Sequence, residues 1–221
     1  MYNICIFDMD GTILNTLDSI AFFGNSALES LGLEVIPKER YKRMVGNGAD
    51  MLMRRMLIYG GNDISLCGRL REEYDKCYEA EPLKLTRPYP GIGNAMESLK
   101  ESGVKLGILS NKPDNVTREI AQRIFPNLFD RVQGQLEGVP IKPDPAALLQ
   151  MTKDLGGKKK DVFYCGDSEV DMQTGKRAGV FTAGVSWGFR EVSELLENGA
   201  DCILETAEEL YGQITGKDYK L

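Results

Sequence analysis

Residues 4–12, ICIFDMDGT, form the stretch that decides the fold. Its first four residues are all apolar, so an extended chain would be apolar on both faces. This is typical of a parallel sheet that is covered by helices on both sides. Asp8 and Asp10 follow on one side of the strand, and Gly11 lets the chain turn away sharply. The stretch therefore predicts a buried strand that ends in two neighbouring carboxyl groups.

Similar apolar runs recur along the chain, with helical patterns between them. With the first strand at residues 3–7, strands are predicted at 104–109, 161–165, 180–185 and 200–204. Helices are predicted at 92–101, 113–125, 143–155, 168–178 and 191–198. This alternation predicts an α/β fold with a Rossmann-like parallel sheet and right-handed crossovers.

Residues 14–85 break the alternation, because no convincing strand pattern occurs there. Helices are predicted instead at 18–31, 38–44, 49–59 and 63–80. The connection is far longer than the dozen or so residues that a crossover needs. We therefore expect an α/β core domain of residues 1–14 and 86–221, and an inserted α-helical cap domain of residues 15–85.

Composition excludes several classes of protein. The 221 residues include no histidine, which excludes Ser-His-Asp triads and histidine-based zinc sites. The 27 Lys and Arg residues against 33 Asp and Glu residues give a net charge of −6, so no nucleic-acid partner is expected. Five cysteines without CxxC spacing indicate a reducing compartment. With no basic leader and no long apolar run, we expect a cytoplasmic protein without a membrane partner, either a monomer or a homodimer.

Polar residues that can carry chemistry lie where the predicted strands end, which is where open α/β sheets place their sites. Taken singly, each has an ordinary alternative: an acidic turn, a helix N-cap, a solvated lysine, or acids at a helix N-terminus. Together they would bring carboxylates, a hydroxyl and an ammonium group to one edge of the sheet. Such a cluster suits Mg²⁺, which prefers oxygen ligands, and the ion together with one Lys would balance the carboxylates and attract a phosphate dianion. The residues are Asp8, Asp10, Ser110, Lys142, Asp167 and Asp171.

In these motifs the chain resembles the haloacid dehalogenase superfamily. The four ordered motifs of that superfamily are matched by residues 8–12 (DMDGT), by Ser110, by residues 142–143 (KP) and by residues 166–171 (GDSEVD). The helical insert after the first strand resembles the C1-type cap of the same superfamily. The resemblance covers nearly the whole chain and implies a phosphomonoester hydrolase.

The resemblance also implies roles for the residues. Asp8 would attack phosphorus and form an aspartyl-phosphate. Asp10 would protonate the leaving group and later deprotonate the attacking water. Ser110 and Lys142 would hold the phosphoryl oxygens.

The cofactor implied by the resemblance is Mg²⁺. Its ligands would come from Asp8, from the backbone carbonyl of Asp10 and from Asp167. Asp171 would either bind the ion through water or orient Lys142.

The choice of substrate is expected to depend on the cap, because a phosphate anchor alone does not contact the leaving group. Gly46, Asn47 and Gly48 form a turn that opens a helix, and its N–H groups could receive an anion. This turn resembles the cap loop of phosphoglycolate phosphatases, which implies a small phosphorylated metabolite such as 2-phosphoglycolate. An ordinary Asn-Gly turn is the alternative. Further substrate contacts are expected from Gly11, Thr12, Asn111 and Lys112.

Other functions remain open on the same motifs. They are a pyrophosphatase, a nucleotidase, a sugar-phosphate mutase and a non-catalytic phospho-ligand-binding module. The lack of histidine disfavours the mutase, and the presence of both Asp8 and Asp10 disfavours the non-catalytic module. Arg43, Arg54 and Arg55 are candidate anion contacts of the cap, although charge on a helix surface is the favoured interpretation for each.

Overall fold

A computed structural model of the protein describes residues 1–216. Residues 217–221, which the sequence assigns to the core domain, lie outside the described residues. The strands are β1 (Ile4–Phe7), β2 (Leu14–Asn15), β3 (Arg87–Pro88), β4 (Lys105–Pro113), β5 (Arg131–Gln135), β6 (Val162–Gly166), β7 (Phe181–Val185) and β8 (Cys202–Leu204). The helices are α1 (Leu17–Ser30), α2 (Lys38–Tyr41), α3 (Ala49–Tyr59), α4 (Cys67–Ala80), α5 (Ile92–Glu101), α6 (Asp114–Ile124), α7 (Ala146–Asp154), α8 (Glu169–Ala178), α9 (Val192–Glu197) and α10 (Ala207–Thr215). Two short 3-10 turns span Ile64–Leu66 and Lys159–Asp161.

Six parallel strands form the main sheet, in the order β5-β4-β1-β6-β7-β8. β1 lies between β4 and β6, and Cys5 is in register with Leu106 on one side and with Phe163 on the other. The predicted Rossmann-like α/β fold is therefore confirmed. The central place of β1 puts its carboxyl end beside the ends of both neighbouring strands.

Both faces of the sheet are covered, as the apolar pattern of β1 predicts. Ile4 and Ile6 pack in a core with residues of α7, among them Leu148 and Met151. Cys5 and Phe7 belong to a second core, which extends through α5 and α10 and continues into the cap. Helices on both faces remove the side chains of β1 from water, which favours the fold by about 25 cal/mol for each square ångström of apolar surface that is buried.

Residues 15–85, which we call the cap, contain α1 to α4 and none of the strands of the main sheet. The chain enters and leaves the cap through β2 and β3, which pair antiparallel. α1 packs along α4, where the rings of Phe23 and Tyr78 lie 4.8 Å apart. None of the helices within residues 1–216 has both the length and the apolar character needed to cross a bilayer.

The structure corrects several predicted elements. β2 begins at Leu14, inside the stretch for which no strand was predicted. β5 and α10 were both missed. The predicted helix at 38–44 ends at Tyr41, and the one at 143–155 begins only at Ala146 because residues 142–145 form a loop.

β4 also differs from the prediction, because it continues beyond residue 109 to Pro113. Between Leu109 and Pro113 its register with β5 shifts, since Leu109 lies opposite Gln133 and Pro113 opposite Gln135. An advance of four residues along β4 therefore matches an advance of two residues along β5. Such a mismatch is a β-bulge. Bulges turn side chains away from the regular alternation and are common beside functional sites. Residues 110–112 lie within this irregular segment.

Candidate active site

Three buried carboxyl groups meet at the carboxyl ends of β1 and β6. Asp8 follows β1, Asp167 follows β6, and Asp171 lies in the first turn of α8. One oxygen atom from each of these carboxylates lies within 4.8 Å of the others. Asp8 is 7% exposed, and the other two are 1% exposed. The cluster could hold a metal ion, because carboxylate oxygens are the ligands that hard divalent cations prefer.

The electrostatics of this cluster favour a bound cation. Burial raises the pKa of Asp8 to about 7, although the Lys142 ammonium opposes the rise. Burial also raises the pKa of Asp167 well above its usual range, and the charge of Asp8 adds to the effect. The Lys142 ammonium contacts only Asp8 and Asp171 of the three, so the excess negative charge is relieved by a divalent ion or by protons. The donor set therefore fits Mg²⁺ or a similar cation.

Lys142 is the ammonium group at the centre of the cluster. It lies in the loop before α7, and its Nζ donates to Asp8 Oδ1 at 2.6 Å and to Asp171 Oδ1 at 2.7 Å. Burial lowers the pKa of Lys142, but the charges of Asp171 and Asp8 outweigh it and raise the pKa overall. Lys142 thus remains a cation beside the carboxyl group of Asp8.

Asp171 is held by hydrogen bonds from the N-cap of its own helix, α8, and from the preceding strand, β6. Ser168, the N-cap of α8, donates from its hydroxyl to Asp171 Oδ2 at 2.6 Å, and the Tyr164 hydroxyl donates to Oδ1 at 2.8 Å. Burial raises the pKa of Asp171, but Lys142 and these hydrogen bonds outweigh it, so the pKa lies below its usual value. Lys142 and Tyr164 thus donate to the same oxygen of Asp171, and the two roles predicted for Asp171 both stay predictions.

Asp167 is enclosed by backbone. The Phe189 N–H donates to Asp167 Oδ2 at 2.7 Å, and the Thr12 hydroxyl approaches Oδ1 at 3.4 Å. A Cβ atom at Gly11 would lie 2.2 Å from Oδ2, and the φ of Gly11 is +91°. Gly11 and Thr12, predicted as substrate contacts, are thus found in contact with Asp167.

The side chain of Asp10 lies apart from the three carboxylates and faces Lys112. The Lys112 Nζ lies 3.1 and 3.2 Å from the two oxygens of Asp10 and 4.6 Å from the ring centre of Tyr78 in the cap. Burial lowers the pKa of Lys112, but the effects of Asp10 and Tyr78 outweigh burial, so the pKa is raised overall. The site therefore has a second buried cation, which pairs with Asp10 and faces a ring of the cap.

Ser110 and Asn111 lie in the bulged segment of β4. The Ser110 hydroxyl accepts a hydrogen bond from the Lys112 N–H at 3.2 Å and lines the cleft between the cap and the sheet. Asn111 contacts the backbone of Lys142 and the carbonyl of Gly46, with three hydrogen bonds of 2.9 Å. The polar groups of the Asn111 amide are thus occupied by protein rather than directed into the cleft.

The cap turn that the sequence singled out borders the same cleft. Gly46 and Gly48 line it, and Gly48 is the N-cap of α3 with a φ of +82°. Asn47 instead accepts a hydrogen bond from Arg55 at 2.8 Å. A Cβ atom on Gly48 would lie 3.2 Å from Gln135, so the turn packs closely against the core.

Among the arginines considered from the sequence, Arg43 forms an exposed ion pair with Glu194, and Arg54 is exposed. Sequence reasoning missed Arg190, which is 5% exposed and lines the cleft. Arg190 donates to the Lys42 and Val45 carbonyls of the cap. The available signal was that Arg190 is the first charged residue after the uncharged run at residues 178–189.

The remaining wall of the cleft is largely apolar and aromatic. This suits a site that excludes water from a small polar reactant. The wall residues from the cap and core include Ile20, Leu52, Tyr74, Tyr78, Val116 and Phe189.

Comparison with known proteins agrees with this geometry. Residues 5–185 match the family model described as haloacid dehalogenase-like hydrolase. The chain is 31% identical over 191 residues to a phosphoglycolate phosphatase of Aquifex aeolicus (strain VF5), covering 84% of this chain and 85% of the relative. It is 29% identical over 211 residues to a phosphoglycolate phosphatase of Mannheimia succiniciproducens, covering 92% and 94% of the two chains.

A solved structure extends the likeness to the fold. The crystal structure of a protein from Lactobacillus delbrueckii subsp. bulgaricus, whose phosphoglycolate phosphatase activity is itself a proposal, superposes with a TM-score of 0.92 at 32% identity. The match covers 98% of this chain and 99% of that one. With its motifs, its sheet topology and these matches, the chain belongs to the haloacid dehalogenase-like hydrolase family.

Proposed function

We propose that this chain is a Mg²⁺-dependent phosphomonoester hydrolase that acts through an aspartyl-phosphate on a small phosphorylated acid such as 2-phosphoglycolate. One observation carries the proposal: Lys142 bridges Asp8 and Asp171 at 2.6 and 2.7 Å, with Asp167 in the same cluster. A nucleophilic carboxylate, a buried cation and a potential metal site thus occupy one end of the sheet.

Asp8 is the proposed nucleophile. One of its oxygens forms a bond to phosphorus while the bond from phosphorus to the ester oxygen breaks. Lys142, already 2.6 Å from Asp8, is placed to neutralise the phosphoryl oxygens as charge develops on them. The Ser110 hydroxyl, which lines the same cleft, supplies a hydrogen bond to them.

Asp10 is the proposed acid and base. It gives its proton to the ester oxygen that leaves, and it then removes a proton from the water that attacks the aspartyl-phosphate. The second attack breaks the bond between phosphorus and Asp8, which releases inorganic phosphate and restores both carboxyl groups. Asp10 follows Asp8 by two residues and lines the same cleft, so both groups can reach one phosphoryl group.

Asp8 and Asp167 would hold the magnesium ion, with the Asp10 carbonyl as a further ligand and Asp171 as a more remote contact. When bound, the ion would offset the carboxylate charge and polarise a phosphoryl oxygen.

The environment of the leaving group supports an anionic substrate. Lys112 places a buried cation beside Asp10, and the turn at Gly46 and Gly48 opens α3 on the cap side of the same cleft. A helix N-terminus favours negative charge, so both sides would attract a carboxylate on the leaving group. The two relatives named phosphoglycolate phosphatase are consistent with this choice. We further propose that residues 15–85 move as a cap domain over the cleft.

Phosphate release tests the proposal directly. With Mg²⁺, purified protein should release phosphate from 2-phosphoglycolate with a higher kcat/KM than from sugar phosphates. When a chelator replaces Mg²⁺, no phosphate should be released. Asp8→Asn should abolish release while its circular dichroism spectrum stays native. Equal rates with Mg²⁺ and with a chelator would contradict the metal requirement. Retained activity of Asp8→Asn would show that Asp8 is not the nucleophile. Equal kcat/KM values for 2-phosphoglycolate and sugar phosphates would contradict the preference for a carboxylate.

A further inference from the structure

Asn111 joins the cap to the backbone that carries Lys142. Its Nδ2 donates to the Gly46 carbonyl at 2.9 Å and to the Lys142 carbonyl at 2.9 Å. Its Oδ1 accepts from the Lys142 N–H at 2.9 Å. The residue is 6% exposed, so these hydrogen bonds are shielded from water and are costly to leave unmade. One amide thus spans the two sides of the cleft.

The loop that carries Lys142 needs this support. Residues 142–145 belong to neither a helix nor a strand, whereas the Lys142 ammonium must stay within hydrogen-bonding distance of Asp8 and Asp171. Asn111 fixes both the N–H and the carbonyl of the Lys142 peptide units, which sets where the side chain starts. A shift of about 1 Å in a catalytic group can reduce the rate a hundredfold.

Arg190 offers a comparison at the same cap segment, and its charge also acts on Asp167. It donates to the Val45 carbonyl at 2.9 Å and also to the Lys42 carbonyl, so it holds the same cap segment as Asn111 does. Its further hydrogen bond goes to Glu169 at 2.8 Å. Within the described residues, no hydrogen bond joins Arg190 to Lys142.

We propose that Asn111 is a positioning residue, which sets Lys142 against Asp8 while the cap segment at Gly46 is docked on the core. Docking of the cap and placement of the lysine are then one event, because the same amide group serves both. The inference rests on the proposed function, in which Lys142 holds the phosphoryl oxygens.

Steady-state kinetics of two variants test this role. Asn111→Ala should lower kcat at saturating substrate by about tenfold or more, with little change in the midpoint of thermal unfolding. Arg190→Met should mainly raise KM, because bound substrate restores docking at saturation while Asn111 remains intact. The proposal is overturned if Asn111→Ala keeps kcat within about twofold of the wild type, or if Arg190→Met lowers kcat equally. If the alanine variant does not fold, Asn111→Ser takes its place.

Hydrogen exchange provides a second readout that does not need activity. Arg190→Met should speed exchange of the Lys142 peptide N–H several-fold in an otherwise wild-type chain and have no further effect in the Asn111→Ala background. Equal effects in both backgrounds would show that the cap and Lys142 are not coupled through Asn111. Wild-type protein without phosphatase activity would instead refute the proposed function, and the exchange experiment would still decide the coupling.

Discussion

Asp10 illustrates how a neighbouring side chain can define a role that a motif only suggests. Its carboxyl group lies outside the cluster of three carboxylates and is held by Lys112 at 3.1 Å. In the proposed mechanism this carboxyl group transfers a proton at the leaving group, and its side chain pairs with the Lys112 ammonium rather than with the proposed metal ion.

Replacing Asp10 should separate the two chemical steps. An aryl phosphate has a good leaving group, so the Asp10→Asn variant should still form the aspartyl-phosphate but hydrolyse it slowly. We expect a burst of about one equivalent of aryl alcohol per active site, followed by slow turnover, in rapid-mixing absorbance measurements. Asp18→Asn, at an exposed ion pair in the cap, is the control and should behave as wild type. A linear time course at the wild-type rate would contradict the acid and base role.

Lys112 should determine the preference for an anionic leaving group. A hydrogen bond to a charged group contributes about 1.5–3 kcal/mol, so Lys112→Met should lower kcat/KM for 2-phosphoglycolate by about 10- to 100-fold. The decrease should be much smaller for an aryl phosphate whose leaving group carries no carboxylate. Lys84→Met is a matched control, because Lys84 also lies 4.6 Å from an aromatic ring but outside the cleft. An equal loss for both substrates would show that Lys112 does not distinguish the leaving group.

At the residue scale, the sequence indicates which side chains share the site but not which groups they bind. The order of the motifs brought Asp8, Lys142 and Asp167 into consideration together. The partners of Asn111 and Lys112 depend on the bulge in β4 and on how the cap packs, neither of which has a local sequence signal. For the same reason Arg190 was missed.

At the scale of elements, Ser168 shows that one N-cap can serve both a helix and the site. Its hydroxyl caps α8 and donates to Asp171 at 2.6 Å. Ser168→Ala should therefore lower the free energy of unfolding by about 1 kcal/mol, since the cap is lost. It should also lower kcat, because Asp171 loses a donor beside Lys142. Urea denaturation and steady-state kinetics measure the two effects.

Thr206→Ala is the control for this prediction. Thr206 is the N-cap of α10 with a similar extended backbone, but its side chain forms no capping hydrogen bond. We expect the alanine variant to stay close to wild type in both assays. Equal destabilisation of the two variants would mean that the Ser168 hydroxyl is not the stabilising group.

The elements that sequence reasoning missed had weak or mixed patterns. β5 is an edge strand whose sequence, RVQGQ, is mostly polar, and its Gly134 is required because a Cβ there would lie 2.5 Å from the Lys112 carbonyl. β2 and β3 have two residues each, too short for any periodicity. α10 did have a signal, since Ala207, Leu210 and Ile214 recur at helical spacing and are buried. The fully buried strands β1 and β6 were predictable, although they are no longer than β5, because burial on both faces demands apolar residues.

At the scale of the whole molecule, Mg²⁺ should stabilise the folded chain. An ion that binds only the native state stabilises it by about 2.7 kcal/mol at a hundred times its Kd. For a protein of this size each kcal/mol shifts Tm by about 2–4 °C, so a clear rise is expected in thermal denaturation. Asp167→Asn should abolish the rise, whereas Asp154→Asn, at a half-exposed ion pair, should not. An equal rise in Asp167→Asn would place the ion elsewhere.

The pairing of β2 with β3 has a consequence for how such molecules diversify. The two ends of the cap leave the core side by side, about 4.8 Å apart, as neighbouring strands do. Because the two ends of the insertion lie next to each other, a longer or shorter insertion can replace it without altering the register of the main sheet. Grafting a cap from a relative at residues 15–85 should therefore transfer selectivity, and it should keep the phosphate-handling chemistry in place where the grafted cap also offers Asn111 a backbone carbonyl, as Gly46 does.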